Sequence, residues 1–169
     1  MKVLVVSDSH GWGEILTELK GRYENKVDAM FHCGDSELLA DDPEMDGWIV
    51  VRGNCDTEQS YPNDLTEEIE GVRIFMTHGH RYNVKMSLMN LQYKAEEHQA
   101  DLAFFGHSHL IGAEKIGQTI FLNPGSITLP RGRSEKTYAM VERNRRETII
   151  RFFDHKHREL TDLQQTFAN

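Results

Sequence analysis

Five apolar, strand-like runs in this chain, Val3 to Val6, Ala29 to Phe31, Trp48 to Val51, Val72 to Met76 and Leu102 to Phe105, each lead into a short polar block. The blocks are Asp8-Ser9-His10, Gly34-Asp35, Gly53-Asn54-Cys55-Asp56, Thr77-His78-Gly79-His80 and Gly106-His107-Ser108-His109. Branched and aromatic residues suit strands buried on both faces. In an α/β sheet the carboxyl ends of such strands share one rim, so side chains far apart along the chain can meet around one point. Asp8/His10 and His107/His109 have an i, i+2 spacing, which on extended backbone predicts that both members of a pair face the same way. Glycines flank every block and let backbone approach a ligand without a Cβ in the way. The pattern is that of a metal site at a sheet rim.

Bulk properties narrow the class. A length of 169 residues predicts one domain over 1–169, with a core that needs neither disulfides nor a structural metal. Only four apolar residues separate Lys2 from Ser7, too few for a signal-peptide core, and no run reaches membrane-spanning length. Cys33 and Cys55 lack C-x-x-C spacing and read as free thiols in a reducing compartment, so a cytoplasmic location is expected. The formal charge of -8 speaks against extended nucleic-acid binding, which relies on dense Lys and Arg.

Trp12, Ile15, Leu16, Leu19 and Tyr23 fall at helical spacing, as do Val84, Leu88, Leu91 and Ala95, so an amphipathic helix is expected at each place. The first half therefore reads as β-α-β with a parallel sheet, followed by a hairpin over Leu65 to Met76 around Gly71. Beyond Gly106, runs at Gly112 to Leu122, Thr137 to Glu142 and Glu147 to Phe153 predict a second, largely antiparallel sheet. The acidic stretch Glu37 to Asp46 reads as a solvated loop, and His155 and His157 as a solvated tail.

Imidazoles and carboxylates without thiolate suit divalent manganese, iron, zinc or magnesium, and the set has ligands enough for two ions. Two ions about 3.5–4 Å apart clamp a phosphate and activate a bridging water, and a shared carboxylate is their usual bridge. Asp35, alone after its strand, is the candidate bridge. Two divalent cations set against Asp8, Asp35 and one hydroxide leave a net charge of about +1, which a phosphodiester monoanion neutralises.

The ordered motifs D-x-H, G-D, G-N-x-D, H and G-H-x-H, from Asp8 to His109, resemble those of the calcineurin-like metallophosphoesterases. Asn123-Pro124-Gly125-Ser126 and Pro130-Arg131-Gly132 extend the likeness to that family's small bacterial and archaeal phosphodiesterases. The resemblance implies a mixed α/β fold, a four-layer α-β-β-α sandwich with two mixed β-sheets and a dinuclear site at one edge. It implies that Asp8, His10 and His109 bind the first ion, that Asn54, His78 and His107 bind the second, and that Asp35 bridges them. The expected cofactors are two divalent ions, manganese first, with iron, zinc, nickel or magnesium as alternatives.

One departure concerns catalysis. Most of the family has Gly-Asn-His at the third motif, where the His meets the phosphate and helps protonate the leaving group, whereas this chain has Cys55, as the small bacterial subgroup does. A thiol with an ordinary pKa of about 8.5 is a poor acid catalyst at neutral pH. His80 is a weaker candidate for the missing donor, and Asp56 loses its obvious partner. Arg131, in the basic cluster with Arg133 and Lys136, is a candidate phosphate clamp. The expected function is a metal-dependent phosphodiesterase in which a bridging hydroxide attacks phosphorus in line, on a small phosphoester substrate and away from membranes; a homo-oligomer stays open. The alternatives are a phosphomonoesterase with the same ligands, and a metal-binding protein-interaction scaffold like the retromer subunit that shares this fold.

Overall fold

A computed structural model describes residues 1–169. Strand β1 (Lys2–Val6) leads into helix α1 (Gly13–Tyr23), then β2 (Ala29–His32) and β3 (Trp48–Val50). The hairpin β4 (Asp64–Ile69) and β5 (Val72–Thr77) precedes α2 (Met89–Glu97), β6 (Leu102–Phe104), β7 (Gly112–Ile116) and β8 (Thr119–Asn123). Strands β9 (Thr137–Arg143), β10 (Glu147–Asp154) and β11 (Gln165–Ala168) end the chain. The strands form two mixed sheets, one in the order β11-β10-β9-β1-β2-β3 and the other β4-β5-β6-β8-β7. Strands β1, β2 and β3 are mutually parallel, as are β5, β6 and β8.

The layering follows from the two-residue period of the strands. Val3 and Val5 of β1 enter a core shared with Ile74, Met76, Leu102, Phe104 and Ile120 of the other sheet, while Leu4 and Val6 pack with Ile15, Leu16 and Leu19 of α1. On the far side of the second sheet, Phe75, Ala103 and Phe121 pack with Leu91 and Ala95 of α2. The order is therefore helix, sheet, sheet, helix, the expected sandwich. Phe31 and Phe104 meet edge to face across the middle layer, centroids 5.5 Å apart, an arrangement worth about 0.5–1.5 kcal/mol beyond area burial. Glu14 near the start of α1 and Lys20 and Arg22 near its end match the helix dipole.

Three expectations need correction. The strands after Gly106 do not build a sheet of their own: β7 and β8 extend the sheet of β4 to β6, and β9 to β11 extend the sheet of β1 to β3. Hairpin signals specify local pairing but carry no information on which sheet edge receives the pair. The second helix starts at Met89 and leaves Val84 and Leu88 outside it: Val84 lies in the turn that follows the 3-10 helix, and Ser87 Oγ accepts the Met89 N–H (3.1 Å), one of the donors a helix start leaves free. The stretches read as solvated are partly built in. Met45 is buried against the α1 layer, and His157 sits between Tyr138 Oη (3.0 Å) and Glu18 (2.8 Å).

Candidate metal centre

All five polar blocks lie at the carboxyl ends of their strands, and the parallel strands of both sheets bring them to one rim. The loops are stitched together across the chain. Asp8 N–H donates to Gly34 O (3.0 Å), His10 N–H to Asp35 O (3.0 Å) and Gly106 N–H to His78 O (3.0 Å). Ser126 Oγ donates to Asp8 O (2.8 Å) and Thr128 Oγ1 to Ser9 O (2.8 Å), which gives the Asn-Pro-Gly-Ser turn its place under the first loop.

The premise of extended backbone at the i, i+2 pairs is incorrect. Asp8, His10, Asp35, His107 and His109 all have left-handed φ between 44° and 66°. Asp and His tolerate this region better than most residues, yet each such residue costs about 1–3 kcal/mol unless its surroundings hold it there. Asp8 and His10 still converge, whereas His107 and His109 part. Asp8, His10 and His109 offer donor atoms to one point, and Asp8, Asp35 and His78 to an adjoining one. His107 stacks edge-on with His78, centroids 5.1 Å apart, on the second side, and Asn54 Oδ1 stands 3.2 Å from His78 Nε2.

The Nδ1 contacts fix how two of the rings face the rim. His78 Nδ1 lies 2.7 Å from Cys33 O and His109 Nδ1 2.7 Å from Leu129 O. A carbonyl only accepts, so both imidazoles donate from Nδ1 and turn Nε2 inward. There His109 Nε2 meets Asp8 Oδ1 at 3.0 Å and His78 Nε2 meets Asp35 Oδ2 at 3.2 Å. Imidazole nitrogens set against carboxylate oxygens in a buried site call for a positive partner, a proton on Nε2 or a cation in its place. Asp8 Oδ1 and His10 Nε2 are in addition buried without any hydrogen-bond partner. These residues fit divalent metal.

The electrostatics agree. Burial opposes ionisation of Asp8, but His109, His78 and the Ser7 hydroxyl outweigh it and hold the carboxyl below its ordinary range. Burial likewise opposes, and His78 with the Cys55 N–H overcomes, so that Asp35 titrates well below the usual carboxylate range. In return the two carboxylates overcome the burial of His78, and Asp8 that of His109, raising both imidazoles' affinity for a positive partner. Burial and the nearby His78 and Lys85 push His107 down to about 4, which leaves it neutral and its lone pair available.

The remaining sequence candidates divide. Asp56 accepts the N–H groups of Asp35 (2.8 Å), Glu37 (2.7 Å) and Gly53 (2.7 Å) and the Ser36 hydroxyl (3.2 Å), so its carboxylate organises two loops at once. Cys55 is exposed beside Asn54, its thiol pushed up to about 11 by desolvation and by Asp35, Glu37 and Asp56. His80 lies 5.4 Å from His78 and 6.1 Å from His107 between ring centroids. Of the basic cluster, Arg133 pairs with Glu135 and Asp162 and Lys136 lies over Trp12, whereas Arg131 stays exposed beside His109, its N–H on the His109 carbonyl (3.2 Å). Sequence reasoning missed Ser7, whose hydroxyl donates to Asp8 Oδ2 (2.6 Å), and Glu37, 2.7 Å from His10 Nδ1. Glu37 stands two residues after Asp35, the same spacing as in D-x-H, which was its one available signal.

The chain belongs to the calcineurin-like phosphoesterase superfamily: residues 1–146 match the family's domain. It is 42% identical over 164 residues, 97% of each chain, to "Probable metallophosphoesterase YsnB" of Bacillus subtilis (strain 168). It is 33% identical to "Phosphodiesterase YfcE" of Escherichia coli (strain K12) over 103 residues, 56% of this chain and 52% of that one. The crystal structure of a conserved protein from Streptococcus pneumoniae TIGR4, described as a predicted phosphoesterase, superposes with a TM-score of 0.97 at 40% identity, covering 99% of this chain and 97% of that one.

Proposed function

We propose that residues 1–169 form one metal-dependent phosphodiesterase unit. The observation that carries this reading is the convergence of donor atoms from Asp8, Asp35, His10, His78 and His109 on one rim, where Asp8 Oδ1 and His10 Nε2 are buried without a hydrogen-bond partner. Asp8, His10 and His109 would hold a first divalent ion, Asn54, His78 and His107 a second, with Asp35 shared between them. Two such ions, manganese first among the candidates, would supply Lewis acidity, an activated water and compensation for charge developing on the phosphoryl oxygens. The preference for diesters rests on the likeness to YfcE, which bears the name phosphodiesterase, and on the single net charge expected of the core. The two thiols are free, as a cytoplasmic setting leaves them.

The protein's own groups shape the rest of the reaction. Exposed Arg131 beside His109 is placed to grip a non-bridging phosphate oxygen. Cys55, with its thiol at about 11, is too weak an acid to protonate an alkoxide quickly at neutral pH. His80, kept low by burial and by His78, is neutral there and fills the gap poorly. Substrates whose leaving group departs as a stable anion are therefore favoured. Chelator-stripped protein resupplied with manganese is expected to cleave an aryl phosphodiester, with a dialkyl ester slower by about 10²-fold or more. Asn54→Ala and His78→Ala are each expected to abolish the reaction. Preference for the aryl monoester would make the protein a phosphomonoesterase, and metal-loaded protein inert on every ester would make it a scaffold.

A further inference from the structure

Glu37 has no counterpart in the motifs that define the centre, yet the loop is built to deliver it there. Its N–H is held by Asp56 Oδ1 at 2.7 Å, its own φ is left-handed at 56°, and the preceding residue Ser36 receives the Gly11 N–H (2.8 Å) on its carbonyl and pins Asp56 with its hydroxyl. The side chain then crosses to the first loop and takes the His10 Nδ1–H on Oε1 at 2.7 Å. His10 is thus oriented from behind while its other nitrogen, Nε2, points inward, buried and without a partner. The equivalent Nδ1 contacts of His78 and His109 end on neutral carbonyls, at Cys33 and Leu129. Only His10 is backed by a charged group that still reaches solvent, the Glu37 side chain being 41% exposed.

Two consequences follow from electrostatics. A carboxylate behind an imidazole fixes its tautomer and makes the far nitrogen a better donor to a cation. The same carboxylate lies beside the mouth of the centre, where it lowers by one unit the positive charge that an incoming phosphate meets. Coulomb repulsion from one fixed negative charge is twice as large for a monoester dianion as for a diester monoanion. We propose that Glu37 is a positioning residue that strengthens His10 as a metal ligand and, by its charge, biases the centre toward singly charged phosphodiesters over doubly charged monoesters. The proposal rests on the metal-dependent phosphoesterase reading above.

Glu37→Gln keeps an oxygen to accept the Nδ1–H and removes the charge, whereas Glu37→Ala removes both. Manganese binding to stripped protein, followed by electron paramagnetic resonance without any substrate, reads the first role. The Ala variant is expected to weaken one manganese site about tenfold or more, as losses of such outer partners do, and the Gln variant to recover most of that loss. The ratio of kcat/KM for an aryl monoester to that for the matching diester reads the second role. Both variants are expected to raise it about three- to tenfold, a range set by one unit charge near a partly solvated site. Wild-type manganese binding in the Ala variant would overturn the positioning role, and an unchanged ratio in both variants would overturn the charge role. If wild-type protein binds two manganese ions and hydrolyses neither ester, the phosphodiesterase reading and the charge role fall, while the binding isotherms still decide whether Glu37 supports His10.

Discussion

His32, at the end of β2, accepts the Gly34 N–H on Nδ1 (3.2 Å), so its proton sits on Nε2 and goes to Ser9 Oγ at 2.9 Å. The fully buried ring thereby joins the Asp8-Ser9-His10 turn to the Gly34-Asp35 turn. From the sequence alone a lone histidine in a strand reads as packing, because the residue type says nothing about what lies across the sheet. Desolvation dominates its ionisation and pushes it down to about 4 from the ordinary 6.5, against the opposing pull of Asp56, Asp8 and Asp35. The unfolded chain thus gains this proton near pH 6.5 and the native chain only near pH 4. Within that window the unfolded state holds more protons, so stability falls as pH is lowered, by on the order of 3 kcal/mol from this residue; above it the contribution is constant. Urea unfolding of chelator-treated protein at pH 7.5 and pH 4.5 should show a larger loss in the wild type than in His32→Asn, which keeps the similar contribution of His107. Equal losses in both would show that His32 titrates normally in the native state.

The element that defines the centre is the strand followed at once by a glycine-framed loop. Gly106, between β6 and His107, shows why no other residue serves: a Cβ there would collide with Ser7 Oγ and lie 2.7 Å from Asp8 Oδ2. Gly106→Ala is therefore expected to cost about 1–3 kcal/mol and, by displacing Asp8, to weaken divalent-metal binding. Gly112→Ala, where nothing lies within 4 Å of the added carbon, serves as the control, and equal melting temperatures and metal affinities for the two would refute the steric account. At this scale the sequence was legible where patterns are local. The strands, helix α1, the hairpins and the glycine-flanked blocks follow from period and turn chemistry. It was illegible at the start of α2, where Ser87 Oγ accepts the Met89 N–H and apolar spacing runs on ahead of the helix, and at β11, a short edge strand whose partner β10 specifies it.

Across the whole molecule the two sheets share one core and the rim joins loops from both, so metal and fold are linked. Carboxylates and imidazole Nε2 atoms face one another across the rim, and a cation that binds only the native chain stabilises it by mass action. Manganese at a hundred times its dissociation constant is expected to add about 2.7 kcal/mol of stability, and a chelator to remove it, as read from melting temperature with and without metal. An unchanged melting temperature at saturating manganese would mean that the rim does not hold the ion in the folded state. The residue types of the centre were determined by the sequence itself, because Asp, His, Asn and Gly after apolar runs carry their chemistry wherever the chain goes. Which nitrogen of each imidazole faces inward, how His107 and His109 divide between two sides, that the late strands are shared between both sheets, and that Glu37 and His32 serve the rim were decided only by tertiary structure. Each of these depends on which backbone carbonyl, carboxylate or strand edge lies across space, and residues far apart along a chain acquire such neighbours only when the sheets close on one another.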